Sequence, residues 1–162
     1  MAWELDPERQ LQRCLRAAEG YLNLGMIREA WEEVEALPER LRARPETLIL
    51  MARILRACGR WSEAIELSRV GSEAYPNVFE FYFLRASVLE ERGRFQEARE
   101  TLLEGPSALR MTDWFHYNLA RYEASLGNLD TARRELKQAI AINRRLRELA
   151  RKDPAFQALL GA

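Results

Sequence analysis

The sequence predicts an all-α fold, a solenoid of four helix-turn-helix repeats with a C-terminal capping helix. Three observations predict it. A glycine recurs every 34 residues, at Gly25, Gly59, Gly93 and Gly127. Alanines keep the same step on both sides of it: Ala18, Ala52, Ala86 and Ala120 before, Ala30, Ala64, Ala98 and Ala132 after. Between glycine and alanine stands a large apolar residue, Ile27, Trp61, Phe95 or Leu129. These columns hold register through four copies without an insertion, and self-similarity at a fixed period marks a repeat array.

Each element has a local reason. Asp6-Pro7 reads as an N-cap followed by the first helical residue, so the first helix is expected to begin near Pro7. Apolar residues at helical spacing flank each glycine, for example Leu48, Met51 and Leu55 before Gly59, and Trp61, Ala64 and Ile65 after it. That is the pattern of two amphipathic helices joined by a tight turn. Glycine ends the first helix because it enters the left-handed region without a Cβ clash. The alanines mark where paired helices approach closely, and the large apolar residue plugs the open end of the hairpin. Pro38 and Pro106 predict that the second helices of repeats one and three stop early. Asn143 and Asp153-Pro154 mark further helix starts. In the closing stretch Leu146, Leu149, Phe156, Leu159 and Leu160 are expected to cover the last repeat.

The 34-residue period, the glycine turn and the two alanine columns resemble the tetratricopeptide repeat family. Registered on that family, the repeats are 11–44, 45–78, 79–112 and 113–146, with 147–162 as a cap, all in a single domain 1–162. The family's tryptophan column holds Cys14, Leu48, Tyr82 and His116 here, and its closing proline occurs only as Pro76. The connections 38–44 and 105–112 therefore depart from the family's regular turn. The resemblance implies a right-handed superhelix whose first helices line a concave face.

Composition narrows the function. Hydrophobic residues make up 48%, enough for a buried core. Lys+Arg and Asp+Glu are 25 each, so no global field draws the chain to nucleic acid or a membrane surface. One histidine, His116, and two cysteines, Cys14 and Cys58, leave metal and acid–base constellations without raw material. No nucleophile elbow, phosphate loop or paired-acid motif is present, so an enzyme, a cofactor and a metal are not expected. The start MAWELDPERQ is charged where a signal peptide is apolar, and no apolar stretch approaches the ~20 residues of a membrane span. A cytoplasmic location is the expectation.

What remains is a protein–protein interaction scaffold or adaptor that holds a peptide or helix of a partner in the concave groove. In the register that the resemblance supplies, the inward column is Leu15, Ile49, Phe83 and Tyr117. Beside it run Arg16, Leu50, Leu84 and Asn118, then Glu19, Arg53, Ser87 and Arg121, with Arg56 and Trp114 near the helix ends. The expected partner-binding set is Leu15, Arg16, Ile49, Arg53, Arg56, Phe83, Ser87, Trp114, Tyr117, Asn118 and Arg121: an aromatic floor with arginine rims that pair with carboxylates. The competing reading is that the apolar members only pack the superhelix. A subset of the family grips heat-shock chaperone tails with a basic and asparagine clamp. The required basic position is Leu15, Ile49 or Phe83 here, so chaperone-tail binding is not expected.

Further signals stand apart. Arg85 and Glu123 each occupy a column that is apolar in other repeats, and either dock repeats three and four or reach water from a half-buried site. His116 is expected to be packed or hydrogen-bonded, with Asp113 in local reach. Cys14 and Cys58 read as small buried hydrophobes. Residues 133–152 hold eight basic and two acidic residues. That run supports a second reading, a nucleic-acid-associated repeat protein, although no stacking aromatics interleave it. A third is a self-associating assembly subunit whose groove takes another copy.

Overall fold

The computed structural model describes residues 6–160; the side chains of Ala158 and Leu160 lie outside the described residues, as does the reading of the first five. Every regular element within them is helical. In order these are α1 (Pro7–Asn23), α2 (Ile27–Glu35), α3 (Glu39–Arg42), α4 (Pro45–Ala57), α5 (Trp61–Ala74), α6 (Glu80–Glu91), α7 (Phe95–Glu104), α8 (Asp113–Ser125), α9 (Leu129–Ile142), α10 (Leu146–Lys152) and α11 (Gln157–Leu160). Short 3-10 helices occupy Ser107–Met111 and Pro154–Phe156. The chain forms two compact units, residues 1–88 and 89–162.

All four period glycines have positive φ, from 70° at Gly93 to 84° at Gly127. The backbone bond that closes each helix is the same. Met26 N–H donates to Tyr21 O at 2.9 Å, Arg60 to Leu55, Arg94 to Leu89 and Asn128 to Glu123. This is the pattern a left-handed residue creates when it folds the chain back over the last helical carbonyls. The eight column alanines are buried, none more than 1% exposed, which is where paired helices meet. Asp6 caps α1, its carboxylate accepting from Glu8 N–H, and Pro7 is the first helical residue.

The prolines act where expected. The helix α2 stops at Glu35 and the chain restarts after Pro38 as α3. Likewise α7 stops at Glu104, and Pro106 opens a 3-10 helix. The second helices of the other two repeats, α5 and α9, each run 14 residues.

In the first unit one core cluster joins α1, α2 and α4 through Leu11, Ala18, Ala30, Val34, Leu50 and Ile54. A second joins Ala52, Leu55, Ala64, Leu84 and Val88. Leu50 and Leu84 are thus core residues, 2% and 9% exposed, not groove lining. In the second unit α8, α9 and the 146–159 stretch share a core of Tyr117, Ala120, Leu136, Leu146, Ala150, Phe156 and Leu159. The cap is not one helix: Asp153-Pro154 breaks it into α10, a 3-10 turn and α11. Leu146, Phe156 and Leu159 are buried as expected, but Leu149 is 43% exposed. Ala150 takes the buried place instead, because i and i+4 share a helix face and Leu146 sets it.

Candidate functional site

The 34-residue columns place one face of α1, α4 and the 80–88 part of α6 in register within the first unit. Leu15, Ile49 and Phe83 are all half-buried there. Register is visible in a single contact. Arg53 on α4 donates to Glu19 on α1, Nη1 to Oε1 at 2.8 Å, between residues one period apart. Arg53 is therefore not an open rim charge; Glu19 neutralises it. Both side chains stay roughly half in water, which keeps such a pair weak, within about 1 kcal/mol. Arg16 is exposed and donates to the Gln12 carbonyl. Arg56 and Ser87 are half-buried, the Ser87 hydroxyl donating to the Leu84 carbonyl at 2.9 Å.

In the second unit the equivalent face of α8 carries Trp114, Tyr117, Asn118 and Arg121. Tyr117, expected on an open floor, is only 2% exposed. The 153–160 segment lies on it. Phe156 meets the Tyr117 ring edge-to-face at 5.4 Å, and Tyr117 Oη donates to Asp153 Oδ2 at 3.0 Å. Arg121 Nε lies 3.0 Å from the same oxygen, while its Nη2 lies 2.6 Å from Glu90 Oε1. Asp153 Oδ1 accepts from Ala155 N–H and caps the 3-10 turn. Burial, and then the Asp153 hydrogen bond, push the Tyr117 phenol above its ordinary range. Trp114 packs edge-on against Tyr117 at 5.5 Å yet stays 45% exposed. Asn118 is half-buried, and its side chain makes no hydrogen bond to another described residue.

The other singled-out residues also find partners. Glu123 is 2% exposed and accepts from Arg99 Nε at 2.5 Å and Asn128 Nδ2 at 2.7 Å. It ties α8 to α7, and so repeat four to repeat three, through Arg99. Arg85 instead lies near Glu66, whose carboxyl it helps to hold low behind the larger effect of Arg69. His116 Nδ1 sits 2.8 Å from Glu135 Oε2, while Asp113 accepts from Asn143 Nδ2. Cys14 is buried, and burial with Glu33 nearby pushes its thiol up to about 11. Cys58, expected to be buried, is exposed just past the end of α4. It borders a cleft of about 500 Å³ with Ile27, Trp31 and Ile54, where the Arg60 guanidinium stands 5.9 Å from the Trp31 ring centre.

Sequence reasoning missed Asp153, Phe156 and Glu90 as neighbours of the Tyr117 face. It assigned Asp153 only a helix start and Phe156 only a covering role. Among the described residues no group of three His, Cys, Asp or Glu could hold a metal ion. No helix of the described residues is long and apolar enough to cross a membrane.

Helix hairpins repeated at a fixed step, each closed by a left-handed glycine and pressed together at two alanines, define a helical-repeat protein. The tetratricopeptide repeat model matches residues 80–104 and 114–138. Those two stretches, which fall in the third and fourth repeats, are similar to tetratricopeptide repeats. Among solved structures the chain is similar to TTC0263, a thermophilic tetratricopeptide-repeat protein in Thermus thermophilus. The TM-score is 0.73 at 21% identity, over 96% of this chain and 82% of that one. It is also similar to MamA from Desulfovibrio magneticus RS-1, with TM-score 0.66 at 17% identity over 83% and 76%. MamA of MSR-1 gives 0.63 at 20% identity over 90% and 81%. At these identities the likeness is one of fold. No curated protein sequence matches the chain.

Proposed function

We propose that the chain is a protein-binding scaffold whose first unit holds a segment of a partner along the column face of α1, α4 and residues 80–88. One observation carries this reading: Leu15, Ile49 and Phe83 stand half-buried in one register, beside the Arg53–Glu19 pair. Half-covered apolar side chains gain about 25 cal/mol for each Å² that a ligand covers. A carboxylate on that ligand would compete with Glu19 for Arg53, whose planar fork suits it. Tetratricopeptide repeats are interaction scaffolds, and nothing in the reading calls for catalysis.

Peptide display against the whole chain, followed by titration of the selected segments, tests it. Ile49→Asp should weaken binding at least 10-fold and Arg53→Ala several-fold, with helical circular dichroism unchanged. Segments that bind wild type and a folded Ile49→Asp variant equally would reject the first-unit face as the site.

A further inference from the structure

We infer that the α8 face is a second recognition site, specific for a segment with a carboxylate three residues before a large aromatic, and that residues 153–160 occupy it as a resident ligand in cis. A merely solvating cap needs apolar cover, which α10 already gives through Leu146 and Ala150. The 153–160 segment adds directional chemistry. One carboxylate oxygen of Asp153 receives the Tyr117 hydroxyl and faces the Arg121 guanidinium, each at 3.0 Å. Phe156 sets its ring edge-to-face on Tyr117 and is fully buried. Contacts of this kind discriminate between ligands, because a segment without the carboxylate leaves the Tyr117 phenol short of an acceptor and takes the opposite charge from beside the Arg121 Nε.

One receiving group, Arg121, also has a partner outside the ligand segment. Arg121 is held by Glu90 at 2.6 Å, and Glu90 also hydrogen-bonds Tyr122, which is buried in the same unit. Removing Asp153 therefore leaves Arg121 paired, so that part of the seat is preorganised. It also extends past its present occupant. Trp114 continues the aromatic floor while remaining 45% exposed, and Asn118 offers an amide with no partner among the described residues. A ligand longer than the resident turn would meet both.

The fitting occupant is a partner protein's segment of the same chemistry, entering as a helical turn and displacing residues 153–160. The resident segment has the advantage of tethering, equivalent to a concentration on the order of millimolar. Wild type should therefore look closed to weak free peptides. Opening the seat should reveal it.

The probe is an acetylated, amidated, fluorescently labelled peptide of residues 151–160, titrated by anisotropy against the full chain. The double variant Asp153→Asn, Phe156→Ala should bind it at least 10-fold more tightly than wild type. Adding Arg121→Gln to the opened chain should remove at least 10-fold of that gain. A probe carrying the same two changes should fail to bind. Asp153→Asn alone keeps the Phe156 packing and serves if the double variant loses helicity; it should still raise probe affinity several-fold. Opened variants that stay folded and bind no better than wild type would overturn the inference and leave the segment a structural cap. Concentration-dependent dimers of wild type, abolished by the double change, would overturn the assignment to a partner and give the seat to a second copy. Ile49 and Arg53 variants leave this seat intact, so its test and that of the first-unit face fail separately.

Discussion

At one column position the first unit presents Ile49 and Phe83, half-buried and bordered by a guanidinium that Glu19 satisfies. The second unit presents Tyr117 at that position, fully covered by Phe156 and bordered by a guanidinium shared between Glu90 and Asp153. The scaffold beneath is the same: buried alanines, a left-handed glycine and one closing hydrogen bond. The backbone repeat therefore does not decide whether the face is open. A few side chains and a segment of eight residues do. That is why repeat proteins hold their fold while their surfaces vary.

Four measurements break or sharpen this contrast. The largest effect is expected from Phe156→Ala, which empties a fully buried site and should cost about 3–5 kcal/mol in denaturant unfolding. Phe83→Ala, at the half-buried position, should cost clearly less; equal losses would mean the two faces are packed alike. Next, Glu123→Ala should cost about 2–3 kcal/mol, since it strips a buried carboxylate from Arg99 and Asn128. Hydrogen exchange should place that loss in the second unit.

A smaller effect concerns pH. The Cys14 thiol is raised to about 11 when folded, above the ordinary 9.0. The folded state thus holds its proton more tightly than the unfolded chain. Stability from this group is whole below pH 9 and declines as pH rises from about 9 toward 11. At pH 8, iodoacetamide should modify exposed Cys58 within minutes and Cys14 only on unfolding, read by mass spectrometry. Rapid labelling of Cys14 would show that the first unit is loose beneath its open face. The smallest effect is expected from Arg53→Ala, within about 1 kcal/mol, because its pair with Glu19 is solvated.

The fold was legible because its determinants are local and periodic. Glycine, alanine and proline act on their own turn of chain, so Gly25 to Gly127 and Pro38 to Pro106 could be interpreted without tertiary knowledge. The Arg53–Glu19 pair went unread, although the two stand one period apart with opposite charge, because Arg53 was expected as an open rim charge. Glu123 announced itself as a polar residue in an apolar column, but Arg99, 24 residues away, carries no mark of the pairing. The covered face was not legible. Asp153-Pro154 reads as a cap, and it is one, through Oδ1; the second oxygen, turned to Tyr117 and Arg121 over more than thirty residues, has no sequence signature. Leu149 misled because an apolar side chain three residues after Leu146 suggested the same face, whereas Ala150, four residues on, takes the buried place within α10.

Pro38 and Pro106 stand 68 residues apart, each ending a short second helix and each followed by a turn that buries a leucine, Leu41 and Leu109. The intervening second helices run unbroken to Ala74 and Ile142. The smallest interchangeable module is thus a pair of hairpins, one clipped and one full. Lengthening or shortening the array by a single hairpin would set two clipped or two full hairpins in succession, whereas a change of two preserves the alternation, so such chains are best grown or trimmed in even steps.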